Sequence, residues 1–291
     1  MLGEIRGEVR FKEPLSFHTS LRIGGPADIF VVPQDVEDIR HALMFAEREQ
    51  LPVAVVGGGN NLVVRDRGIR GVVLKLEGCL GRAEYYGEEA LAGAGVGLSA
   101  LIREAAALNL GGIECLVGIP ATIGGALAMN AGTADGWIGD FVSAVYYLHP
   151  DGALGEFKPS GEFGYRAFRL PAGAVLIGCR LQLHRRPLPE IQKEIRARLK
   201  QKKATQPLAL ASAGFVWKNP AGELASRLIE KAGLRGKRVN GAEISSKHAN
   251  FIVNRGAAGA ADILHLMELT RERVHGHFGI TLETEIRILG E

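Results

Sequence analysis

The chain has few cysteines, no long apolar run, almost no net charge and neither of the common nucleotide-binding fingerprints. Its three cysteines, Cys79, Cys115 and Cys179, stand far apart without any Cys-x-x-Cys spacing, which argues against a disulfide framework or a structural zinc site. A reducing compartment fits that usage. No window offers the roughly eighteen uninterrupted apolar residues of a membrane span, and Glu4, Arg6 and Glu8 stand where a secretory leader would carry its apolar core. The expectation is a cytoplasmic protein without membrane insertion. With 35 basic and 32 acidic residues, the balance suits small anionic ligands and gives no argument for nucleic acid. Gly-x-Gly-x-x-Gly is missing, and so is the Walker pattern ending in Gly-Lys-Ser/Thr. Neither an internal repeat nor a low-complexity segment is visible.

Glycine is what the chain has instead. Residues 118–132 read Gly-Ile-Pro-Ala-Thr-Ile-Gly-Gly-Ala-Leu-Ala-Met-Asn-Ala-Gly, four glycines in fifteen positions, and Gly57-Gly58-Gly59-Asn60-Asn61 follows a strand-like apolar run at 52–56. Taken singly, either cluster could be a tight turn. Two such clusters, each after strand-like or helix-closing sequence, point to a phosphate-bearing cofactor, because three or four converging N–H groups can satisfy a pyrophosphate.

At 291 residues and 46% hydrophobic composition the chain can fill one large core or two to three smaller ones. Periodicity predicts strands at 27–32, 53–56, 72–76 and 91–96, and helices at 35–49, with Asp35 as N-cap, and at 99–108, closed by Gly111-Gly112. Further strands are predicted at 145–148 and 174–183, around a turn at Pro150-Asp151-Gly152. Pro187 and Pro189 mark a boundary near residue 186. The basic run 193–203, with Ile191, Ile195 and Leu199 at helical spacing, reads as a solvated amphipathic helix; phosphate binding is its alternative. Helices at 223–232 and 260–278, a strand at 250–254 and a last strand at 280–289 follow. In that last strand period two puts Glu283, Glu285 and Arg287 on one face. His275-x-His277 reads as a helix end, since no third metal ligand is apparent.

Thr19-Ser20-Leu21-Arg22-Ile23-Gly24-Gly25-Pro26-Ala27-Asp28, Gly57-Gly58-Gly59-Asn60-Asn61-Leu62-Val63-Val64, Gly118-Ile119-Pro120 through Asn130-Ala131-Gly132, Gly164-Tyr165-Arg166, Lys218-Asn219-Pro220 and Leu282-Glu283-Thr284-Glu285 occur in that order. The set resembles the UDP-N-acetylenolpyruvoylglucosamine reductase family, in its shorter, second type, over nearly the whole chain. The resemblance implies an α+β fold: a two-lobed FAD-binding domain of the vanillyl-alcohol-oxidase/PCMH type at 1–185, with lobes at about 1–76 and 77–185, and a smaller α+β substrate-binding domain at 186–291. It implies FAD held non-covalently; a monomer is the expectation for the chain. NADPH would reduce the flavin, which in turn reduces the enolpyruvyl ether of UDP-N-acetylglucosamine to UDP-N-acetylmuramate, a bacterial cell-wall precursor.

By the same resemblance, Gly57, Gly58, Gly59, Asn60, Asn61 and Leu62, together with Gly118, Ile119, Pro120, Ala121, Thr122, Ile123, Gly124 and Gly125, would hold the cofactor, with Asn130 and Gly132 near it. Tyr165, Arg166, Lys218 and Asn219 would bind substrate, Arg166 facing the enolpyruvyl carboxylate, and Arg166 and Glu285 would be catalytic. Otherwise Arg166 is a surface arginine, Lys218-Asn219-Pro220 a turn without ligand, and Glu285 a partner of Arg287. One motif departs from the pattern. The family reads Gly-Ser-apolar-Phe-Lys-Asn-Pro with the serine donating the final proton, whereas this chain has Gly214-Phe215-Val216-Trp217-Lys218-Asn219-Pro220. Phenylalanine cannot donate a proton, Ser212 is poorly placed to replace it, and the donor stays unassigned. A non-catalytic FAD or nucleotide-sugar binder and an FAD oxidase of the same fold are the alternatives.

Overall fold

The computed structural model describes residues 2–76, 78 and 80–291; Cys79 lies outside them. Six α-helices are present among these residues: α1 (Val36–Arg48), α2 (Leu98–Ala107), α3 (Ile123–Ala128), α4 (Leu188–Thr205), α5 (Ala225–Lys231) and α6 (Ala260–Phe278). The chain divides into two compact units. The first comprises Met1–Phe11, Ile29–Gly58 and Arg70–Lys202, the second Lys12–Asp28, Gly59–Ile69 and Lys203–Glu291. The expected boundary near residue 186 is continuous in sequence, whereas these units are interleaved. Pro187 and Pro189 lie at the start of α4, since proline is tolerated in a first helical turn, and α4 stays with the first unit through Lys202.

In the first unit a five-stranded antiparallel sheet has the order Leu154–Phe157, Val142–Leu148, Val175–Gln182, Glu89–Gly93, Ala83–Tyr86. Val53–Val56 pairs in parallel with residues 72–75. Helix α1 follows from its sequence. Asp35 Oδ1 accepts from the N–H groups of Glu37 and Asp38, and Ile39, Leu43 and Ala46 form the stripe buried against Val31, Val72 and Leu74. Helix α2 ends earlier than Gly111-Gly112, because Asn109 takes the left-handed conformation (φ 56°) that glycine was expected to supply. The strand expected at 91–96 stops at Gly93. Beyond it the carbonyls of Ala94 and Val96 accept from Gly124 and Ile123, so the strand's extension holds the second glycine-rich segment.

In the second unit the four-stranded order is Ala211–Ser212, Ile252–Asn254, Ala242–Ile244, Arg238–Val239. Helix α6 covers its core with Ile263, Leu266, Met267 and Val274. Both Asp66 carboxylate oxygens cap its start, accepting from Ala260 (2.9 Å) and Ala261 (3.1 Å). His275 and His277 lie in its last turn before Gly279 at φ 68°. The final strand is shorter than its alternation predicts. Thr284 bridges Trp217, and the chain then changes partner, so that only Arg287–Leu289 is regular strand, parallel to Leu62–Val64. Leu282 and Ile286 are buried, while Ile288 past the switch is 37% exposed.

Candidate active site

Within the first unit the structure joins the two glycine clusters. A Cβ on Gly57 would overlap Thr122 Oγ1, and Lys75, buried in an apolar strand, donates from Nζ to the Gly57 carbonyl at 2.6 Å. Thr122 bridges Gly97 and accepts from Gly125 at 3.3 Å. The N–H groups of Ile123, Gly124 and Gly125 are thus used inside the protein, so an anion held by this segment would be met by other donors. Its glycines serve close packing: a Cβ on Gly124 would stand 3.0 Å from Ala94 Cβ. Gly125 differs. Its Cβ would meet nothing nearer than Thr122 Oγ1 at 3.4 Å, leaving an open glycine face against which a flat or extended cofactor can lie. This open face, and not the three N–H groups already used, is what fits a cofactor here.

Asn130 and Gly132 shape the arginine turn. Asn130, buried and left-handed at φ 40°, donates to the Gly164 carbonyl at 2.9 Å and accepts from Gly139 at 3.1 Å. Arg166 is itself left-handed at φ 54°, a conformation uncommon outside glycine. Its Nη1 donates to the Gly132 carbonyl at 3.2 Å, and its Cζ lies 5.1 Å from the Trp137 ring centroid and 5.9 Å from that of Tyr165. The two rings meet edge to face at 5.6 Å. A guanidinium held over two aromatic faces keeps its charge and in-plane donors in a fixed direction.

Lys202 lies in the last turn of α4, over Gly118. The run 193–203 was expected as a solvated face, and Arg198 does pair with Glu194 and Asp135. Lys202 is instead half-buried, and burial, with Arg198 and Arg166 adding like charge, lowers its ammonium to about 8. Burial likewise raises the Cys115 thiol to about 11. Trp137 and Lys202 were not foreseen from the sequence. Ile191, Ile195, Leu199 and Lys202 continue one helical stripe, which is the signal that Lys202 turns inward.

The second unit gathers the remaining candidates. Gly59 is left-handed (φ 65°), and its Cβ would overlap the His18 carbonyl oxygen. Asn61 Nδ2 donates to the Glu285 carbonyl at 3.2 Å, and Arg287 N–H donates to Asn61 O at 2.9 Å. The Gly-Gly-Gly-Asn-Asn and Leu-Glu-x-Glu motifs are therefore neighbours. Lys218 Nζ pairs with Glu283 at 3.3 Å, and Asn219 Oδ1 accepts from Ala225 at the start of α5. Buried Asn250 fixes residue 217 by accepting from its N–H at 2.9 Å and donating to its carbonyl at 2.8 Å. Phe215 stacks on His248 (centroids 5.0 Å, 17°) and meets Phe251 edge on. Burial lowers His248.

No group of metal-ligating side chains occurs among the described residues, and no helix there is long and apolar enough to cross a membrane. Residues 27–157 match the family described as FAD binding domain, and residues 206–289 the UDP-N-acetylenolpyruvoylglucosamine reductase C-terminal domain. The chain is 43% identical over 289 residues to the UDP-N-acetylenolpyruvoylglucosamine reductase of Geobacter metallireducens, covering 99% of this chain and 96% of that one. It is 46% identical to that of an Anaeromyxobacter species, covering 99% and 90%. The crystal structure of the Thermus caldophilus reductase superposes with a TM-score of 0.84 at 38% identity, covering 98% of this chain and all of that one.

Proposed function

Because the chain belongs to the UDP-N-acetylenolpyruvoylglucosamine reductase family, we propose that NADPH is its electron donor and that Arg166 and Glu285 serve the reduction of the enolpyruvyl ether. The chain is an FAD-dependent oxidoreductase of peptidoglycan precursor synthesis. The FAD, when bound, supplies the hydride carrier between the two substrates. Gly57, Thr122 and the open face of Gly125 are the residues we assign to holding it, with Gly58, Gly59, Asn60, Asn61, Leu62 and the remainder of 118–125 forming the surrounding loops.

Addition of hydride to the β-carbon of the enolpyruvyl group places negative charge on the α-carbon and its carboxylate. Arg166 answers that charge in a preorganised way, since its guanidinium is oriented by the protein's own Gly132, Trp137 and Tyr165. This orientation is the observation that carries the reading. Glu285, protonated, would hydrogen-bond the same developing charge, and Lys218, Asn219 and Tyr165 would bind the UDP-sugar. Lys218 and Asn219 also have structural partners, so their substrate role requires exchanging those contacts. The final proton comes from a donor other than residue 215, whose phenyl ring has none to give.

The functional division we retain is a cofactor part at 1–185 and a substrate part at 186–291, acting as a cytoplasmic monomer beside its UDP-sugar and NADPH pools. The deciding experiment is anaerobic: flavin on the purified protein is bleached by NADPH, then the enolpyruvyl ether is added. Recovery of the oxidised spectrum with formation of the lactyl ether is the expected result. Retained FAD with no recovery would leave only a binding protein.

A further inference from the structure

The carbonyl and the indole that orient Arg166 belong to one small hairpin. Gly132–Thr133 pairs antiparallel with Gly136–Trp137, Gly132 opposite Trp137 and Thr133 opposite Gly136. Two residue pairs do not hold a hairpin by themselves, so its pose is set by what it touches. Thr133 Oγ1 donates to the Cys115 carbonyl at 3.5 Å, and a Cβ on Gly136 would stand 3.2 Å from Cys115 Sγ. Trp137 N–H donates to Asp140 Oδ2 at 2.8 Å. At the tip, Asp135 N–H donates to Thr133 Oγ1 at 3.2 Å, and the Asp135 carboxylate reaches α4, where Oδ2 accepts from Arg198 Nη1 at 2.6 Å.

That contact ends a chain of alternating charges. Glu114, 3% exposed, pairs with Arg186 at 3.1 Å, Arg186 with Glu194 at 2.8 Å, and Glu194 with Arg198 at 2.8 Å. An isolated exposed ion pair contributes little, but a network of fixed geometry contributes more. The Arg198 side chain is only 25% exposed and lies between two carboxylates. The far end of the chain is anchored in the core, where Glu114 Oε2 also accepts from Gly112 N–H at 2.7 Å. We propose that Arg198 is a positioning residue for the reduction: through Asp135 it holds the hairpin whose Gly132 carbonyl and Trp137 ring aim the Arg166 guanidinium. The inference rests on the reading of Arg166 given above, and it makes the direction of that guanidinium depend on α4. A guanidinium turned away from the developing charge loses rate even though its own charge is intact.

The test follows the two half-reactions of the holoenzyme by stopped flow in the wild type, Arg198→Met, Asp135→Asn, Trp137→Leu and the double variant Arg198→Met/Trp137→Leu. Arg198→Met and Asp135→Asn are each expected to slow flavin reoxidation by saturating enolpyruvyl ether about tenfold, while flavin reduction by NADPH and FAD retention stay unchanged. Arg198→Lys recovers part of the loss, since an ammonium can reach Asp135 without the planar fork that also holds Glu194. In the Trp137→Leu background the ring is already gone, so Arg198→Met should add little. Full multiplication of the two losses would mean that the residues act separately, and would overturn the proposal. A loss in Arg198→Met that Asp135→Asn does not share overturns it too, as does an unchanged reoxidation rate in Arg198→Met. Equal slowing of both half-reactions, or release of FAD, would show general disturbance of the fold and count against it equally. Arg166→Lys, measured alongside, separates the inference from its premise. If that variant reoxidises at the wild-type rate, the reading of Arg166 falls and this inference with it; selective slowing there with none in Arg198→Met removes this inference alone.

Discussion

Phe215 stands at the position where the family carries a proton-donating serine, and its ring is engaged with His248 and Phe251. Phe215→Ser should therefore lower stability by about 1–3 kcal/mol through lost aromatic packing, read as a smaller urea midpoint. Its substrate-dependent flavin reoxidation should match or exceed the wild type's; a slower reoxidation would mean that the ring positions substrate. Arg166→Lys keeps the charge and loses the planar fork. Flavin reduction by NADPH should persist while substrate reduction slows, and stopped-flow measurement of each half-reaction separates these; equal slowing would place Arg166 at the flavin. The glycines call for a different choice of variant from the one their spacing suggests. Gly124 is locked against Ala94, so enlarging it disturbs the fold, whereas Gly125 has room. Gly125→Val should leave the apoprotein's melting temperature nearly unchanged and reduce FAD retention, scored by fluorescence of released cofactor. Full retention would move the cofactor off that face.

Helices α1 and α6 were legible because each has apolar residues at helical spacing and a recognisable end, the Asp35 N-cap of α1 and Gly279 after α6. The cap of α6 was not legible. Asp66 lies 194 residues before Ala260, and no local pattern relates them. Asp66→Ala should cost about 1 kcal/mol or somewhat more, seen as a lower urea midpoint with FAD retention intact; loss of FAD from a folded variant would reveal a role beyond capping. The end of the chain gave the opposite lesson. Alternation predicted one strand at 280–289, but alternation records only which residues face a core and not which strand they pair with. The change of partner between Thr284 and Arg287 is a long-range choice. It also sets Glu285 beside Asn61.

Across the whole molecule, two buried carboxylates link stability to pH. In the second unit Glu243 is held below its ordinary value by Arg255, against the opposing effect of burial, with Arg238 adding to it. In the first unit burial raises Asp38, but the backbone N–H groups of Arg6, Gln34 and Gly7 outweigh it and the net shift is downward. Both groups bind protons more readily unfolded than folded, so their stabilisation is present above the ordinary carboxylate range and is lost as pH falls through the depressed values. Glu243→Gln should be less stable than wild type at neutral pH and lose less on going to about pH 4; parallel urea midpoints for the two proteins would refute the linkage. The ordered motifs, readable without coordinates, determined the family, the cofactor and the identity of Arg166 and Glu285 as candidates, because those residue types are tied to one chemistry and their order survives any fold. The tertiary structure alone decided which glycines face open space and that Trp137 holds Arg166. Each of those outcomes depends on contacts between residues distant in sequence, whose energies exceed local preference and leave no periodic trace in it.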